Sequence, residues 1–185
     1  MMLAGRLFLI VLLAISAFTT DAQRRRDPLT EAESDQIRQA TIEPPKRIKL
    51  MLTFATARLT AIDQIRANPN LQKEQTTQIH DLLEDFASIV DELDDNVAMF
   101  DERNEDLRKV LKTLVESNSD WQLRLRALRE TSGANLKDYE FVLQDATESV
   151  TESAASTRET LQSQNARFGK SKDKDKPKLP PAQER

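Results

Sequence analysis

Residues 82 to 107 read LLEDFASIVDELDDNVAMFDERNEDL, with ten acidic residues and one basic residue, Arg103. Carboxylates at this density are hard oxygen donors, and the chemistry they suggest is divalent-cation binding. The DELDDN segment has the composition of a calcium loop. It lacks the glycine and the closing Glu at the spacing that wraps such a loop around the ion. A specific calcium site is therefore not expected, and the acids are open to a second reading as the wet side of a helix.

Other candidate chemistry is sparse. His80 is the single histidine, and it sits one helical turn from Glu84. A zinc or di-iron site would need further ligands of its kind. Ser/His/Asp catalysis would have to recruit the same histidine, and no G-x-S-x-G elbow is present. No glycine-rich phosphate loop occurs. Ser171 and Lys174 match S-x-x-K, but they lie in a charged, proline-containing tail that can form no pocket. The chain has no cysteine, so disulfides, thiolate metal sites and cysteine nucleophiles are excluded. These observations predict no enzyme, no cofactor and no metal.

The elements that would carry these residues follow from the breakers. Glycine occurs only at 5, 133 and 169, and proline only at 28, 44, 45, 69, 177, 180 and 181. Such spacing predicts a few long helices and no sheet. Thr30 and Glu33 have capping-box spacing for a short helix to about Ala40. Pro44 and Pro45 suit the first turn of a helix to about Ala67, with Ile48, Leu52, Ala55, Leu59 and Ile62 on one face. Asn70 is the expected N-cap of a segment from Leu71 to Thr131. A last helix is expected from about Asn135 to Arg167.

Within the 71–131 segment, steps of four and three residues trace an apolar seam. Its central members are Leu83, Phe86, Val90, Leu93, Val97, Phe100, Asn104, Leu107, Leu111, Leu114 and Trp121. The acids of the opening stretch all fall outside this heptad register. They read as the solvated back of one long helix, about 90 Å from end to end at about 1.5 Å per residue. Asn104 and Asn118 fall in the register and could fix helix pairing. A break is the alternative, with Ser119 as a new cap, but the register survives both positions and favours continuity. Leu82, Ile89, Val110 and Val115 widen the apolar stripe beyond what one partner helix covers. Either the helix breaks into a four-helix bundle, or two chains pair. The expectation is a dimer held along this helix, with Asn104 near the dimer seam.

The N-terminus has one early charge, Arg6, then an apolar run from Leu7 to Phe18, then Thr20 and Ala22 at the −3 and −1 positions of a cleavage site. That is the build of a secretory signal peptide cut after Ala22. Arg24, Arg25 and Arg26 leave an uncleaved anchor as the rival. The expected organisation is a signal peptide at 1–22, an arm with a short helix at 23–43, a helical bundle at 44–168 and a disordered Lys/Pro tail at 169–185. Residues 27–168 carry about −10 of charge between basic ends, which argues against nucleic-acid binding. The fold expected is all-α, a long-helix antiparallel bundle of coiled-coil type, exported to a bacterial periplasm or the extracellular space. The function expected is a non-catalytic helical interaction or scaffold role, possible chaperone-like clamps included. The alternative is an amphipathic lipid or envelope-surface binder touching membranes through its basic ends.

Overall fold

The computed structural model describes residues 27–68 and 74–169; the expected leader, the Asn70 cap and the residues beyond Gly169 lie outside them. The described residues form five α-helices and one 3-10 helix, without a strand among them. These are α1 (Glu31–Gln39), α2 (Pro44–Ala67), α3 (Gln75–Glu102), α4 (Arg108–Thr131), the 3-10 helix (Gly133–Asp138) and α5 (Glu140–Gly169). None of the helices is long and apolar enough to cross a membrane.

Local chemistry sets the helix ends. The α1 cap is reciprocal: the Glu33 N–H donates to Thr30 Oγ1 at 3.3 Å, and the Thr30 N–H donates to Glu33 Oε2 at 2.8 Å. Pro44 and Pro45 occupy the first turn of α2, where a missing N–H loses no bond. At its other end Asn68 is extended, as a residue before proline prefers. Ile48, Ala55, Leu59 and Ile62 are buried on α2 as the periodicity predicts, but Leu52 is only half-buried and Met51, Phe54 and Arg58 join the core.

The long third helix is not continuous. It ends at Glu102 and restarts at Arg108, while α4 runs without interruption through Ser119. The break is a Schellman turn. The Glu105 N–H reaches back to the Phe100 carbonyl at 3.1 Å, and the Asn104 N–H to the Asp101 carbonyl at 2.9 Å. Asn104 has φ 60°, the left-handed conformation that Asn tolerates better than most residues. It is exposed and packs in no seam. The heptad count could not register this. Phe100 and Leu107 are both buried in one core, so the apolar spacing crosses the turn unchanged.

Four helices close around that core. α2 neighbours α3 and α4, and α5 neighbours the same two, so α3 and α4 face each other across the diagonal. Phe86 of α3 and Trp121 of α4 meet there edge to face, with ring centroids 5.4 Å apart. The Trp121 indole N–H donates to Thr56 Oγ1 of α2 at 3.0 Å, so its polar atom is satisfied inside the bundle. Folding back also covers the wide stripe: Ile89 and Val110 are buried, and Leu82 packs half-buried beside Leu29 and Ala61.

Candidate functional site

Four of the ten acids in the 82–107 stretch are only partly open to water, and they organise the polar contacts between helices. Glu84, Asp91, Asp95, Glu102, Glu105 and Asp106 are exposed as the heptad reading requires, whereas Asp85, Glu92, Asp94 and Asp101 are partly covered by other elements.

Asp85 and Glu92, one heptad apart, hold the N-terminal arm through two arginines of α2. Arg58 is buried and donates to both Glu33 carboxylate oxygens at 2.9 and 2.6 Å, and to the Pro28 carbonyl at 2.8 Å. Its Nε lies 3.7 Å from Asp85. Arg47 donates to Asn96 Oδ1 at 2.6 Å and to the Ile37 carbonyl at 3.2 Å, with Glu92 at 3.7 Å. Burial alone would raise the Glu33 carboxyl; the hydrogen bonds from Arg58 and Thr30, with the Arg58 charge, outweigh it and hold the group below its usual value. The Glu33 bond in turn raises the Arg58 guanidinium further above its ordinary range.

Asp101 belongs to a second cluster that fastens the α3–α4 turn to α5. Gln164 is fully buried on α5. Its Oε1 accepts the Leu107 N–H at 2.8 Å, and its Nε2 donates to Asp101 Oδ1 at 2.8 Å and to the Glu105 carbonyl at 3.0 Å. Leu107 opens α4 without a side-chain cap, and Gln164 supplies from another helix the acceptor that the N3 side chain of a capping box would give the N-cap N–H. Arg167 adds contacts to Asp101 Oδ2 at 3.2 Å and Asn104 Oδ1 at 3.1 Å.

Asp94 belongs to the third cluster, a polar layer where α3, α4 and α5 meet. The Ser153 hydroxyl donates to Asp94 Oδ1 at 2.8 Å. Asn118 Nδ2 donates to Ser153 Oγ at 3.2 Å and reaches Thr157 Oγ1 at 3.5 Å. Asn118, Ser153 and Thr157 are fully buried, and Asn118 Oδ1 has no partner. Burial first, with the charges of Asp91, Asp95 and Glu152 added, pushes the Asp94 carboxyl up to about 6 against the opposing bond from Ser153.

Of the expected seam residues, Leu83, Phe86, Val90, Leu93, Val97, Phe100, Leu107, Leu111, Leu114 and Trp121 are all buried in one core, and Asn104 stands outside it. His80 is half-exposed beside Asp81 at 3.5 Å rather than facing Glu84. No group of three or more His, Asp or Glu gathers as metal ligands among the described residues. Ser153, Thr157 and Gln164 were missed by sequence reasoning. The signal was present: they continue the three-and-four spacing of Leu143, Ala146 and Val150, so polar residues sit in the seam of α5 opposite the polar Asn118 of α4. Comparison of the chain with family models, curated proteins and solved structures gives no significant match.

Proposed function

We propose that this chain is an exported, non-catalytic helical interaction or scaffold protein that presents a self-contained bundle to a protein partner. The observation that carries the reading is where the polar side chains go. Arg47, Arg58, Asp94, Asn118 and Gln164 are engaged between helices, holding the arm, the turn and α5 in place. A groove lined by Asp27, Leu29, Ile37, Arg47 and Glu92 runs along the join of the arm and lies open at the surface. Against this, Phe141 is 82% exposed at the start of α5, beside the buried Tyr139 and Val142. A bare phenylalanine next to core residues is a natural anchor for a partner, since aromatic side chains dominate interface energetics.

Because Ile89 and Val110 are covered within one chain, a different protein is favoured over a second copy along α3. The test is affinity capture from an envelope extract with the wild type and with Phe141→Ser. The reading requires a partner held by the wild type and lost or weakened with Phe141→Ser. Retention of the chain by protein-free liposomes, unaffected by that substitution, would favour the lipid-surface alternative and contradict it.

A further inference from the structure

We propose that the layer of Asp94, Ser153, Asn118 and Thr157 is a proton-operated latch on α5, closed when Asp94 takes up a proton and loosened when it gives the proton up. This goes beyond the interaction role proposed above and does not depend on it.

Three observations carry it. First, the carboxyl lies at a junction rather than on a free surface. Its Oδ1 accepts the Ser153 hydroxyl at 2.8 Å, and Ser153 is fully buried on α5. Second, the charges acting on it are negative on both sides of the joint: Asp91 and Asp95 from its own helix and Glu152 from α5. From α4 the layer receives only the neutral Asn118, through Ser153. An ionised Asp94 thus repels the very helix it is bonded to. Protonation removes that repulsion and the desolvation penalty, while Oδ1 can still accept the Ser153 hydroxyl with the proton on Oδ2. Third, α5 is held there mainly by polar contacts, with the half-buried Leu161 as an apolar addition and Gln164 and Arg167 further along. Beyond Val150 its buried residues are Ser153, Ala154, Thr157 and Gln164, all small or polar.

The raised pKa of Asp94, about 6 against an ordinary 3.8, puts the change in a usable range. The direction follows from linkage. Between those two values the folded state binds more protons than the unfolded chain, so stability falls as pH rises through that window and levels off above about 6. The Glu33–Arg58 pair works in the opposite sense and lower down. Glu33 is depressed from 4.5, so its contribution is present above that value and is lost only as pH falls below it. Between pH 5 and pH 7.5 the two do not overlap.

The test is a set of thermal melts of the wild type, Asp94→Asn, Ser153→Ala and His80→Gln from pH 5 to pH 7.5, with amide exchange of residues 150–164 corrected for intrinsic rate. The wild type and His80→Gln should melt roughly 3–6 °C higher at pH 5 than at pH 7.5. Asp94→Asn, which keeps the shape without the charge, should lose that slope. Ser153→Ala should keep the slope but move its midpoint to higher pH, because the carboxylate has lost its donor. Protection of residues 150–164 should fall with rising pH more than that of α2. Calcium and EDTA should leave the profile in place. A wild-type melt that is flat or rises toward pH 7.5, a slope retained in Asp94→Asn or abolished in His80→Gln, or a profile set by calcium would each overturn the latch.

Discussion

The face between α2 and α3 and the C-terminal half of α5 solve one problem in opposite ways. Each must fix a helix against the same core. α2 does so with large apolar side chains, Ile48, Met51, Phe54, Leu59 and Ile62, which share one core with Ile79, Leu83, Phe86 and Val90 of α3. Burial of such side chains is worth roughly 1.5–3 kcal/mol each and needs no directional partner. Beyond Val150, α5 contributes Ser153, Thr157 and Gln164, whose hold depends on hydrogen bonds of particular geometry, with Ala154 and the half-buried Leu161 as its apolar contacts. A net hydrogen bond is worth only about 1 kcal/mol, but leaving one buried group unmade costs about 1–3. The first joint is strong and unspecific; the second is weak and exacting. The contrast teaches that one four-helix core can hold a permanent half and an adjustable half.

The largest effect should come from cutting the apolar half. Phe86→Ala removes the ring that meets Trp121 and should cost about 3–5 kcal/mol in denaturant unfolding, as large core truncations do. A loss under about 1 kcal/mol would mean that the ring pair is not a core contact. Next is Gln164→Ala, which leaves the buried Leu107 N–H without its acceptor. It should cost about 1–3 kcal/mol, and amide exchange at Leu107 should speed up before that of α2 does.

The turn gives a smaller and signed effect. Asn104 is left-handed, so Asn104→Leu should destabilise by about 1–2 kcal/mol, whereas Asn104→Gly should be neutral or stabilising. This is the reverse of what a buried seam position would show, where leucine would be the gain. The smallest effect should be a near-balance. Asn118→Leu removes an acceptor that has no partner but also the Nδ2 bonds to Ser153 and Thr157, and should change stability by less than about 1 kcal/mol in the same unfolding assay. A clear loss would show that Asn118 is worth more to the layer than its unpaired oxygen costs.

How far the sequence could be read follows the same division. The α2 ends at Pro44 and Ala67 were legible because Pro and the residue before Pro act locally. The apolar seam was legible because burial follows spacing alone. The turn at Asn104 was not, since an antiparallel reversal that returns Leu107 to the same core preserves the heptad count. Its one sign was Asn followed by a polar run, the composition of a left-handed helix end. Asp85, Glu92, Asp94 and Asp101 were read as solvated because the helices that cover them come from distant parts of the chain. Spacing within α3 identifies its back, but cannot say that Arg58, Arg47, Ser153 and Gln164 will lie against it.

The central claim is that the bundle has one permanent and one adjustable joint, and native-state amide exchange in low denaturant tests it directly. The account predicts that amides of residues 151–164 in α5 exchange through a partial opening of clearly lower free energy than global unfolding. Amides around Met51 to Ile62 in α2 and Leu83 to Val90 in α3 should exchange only with the whole fold. Equal opening free energies for these three segments, all tracking global unfolding with the same denaturant dependence, would contradict it.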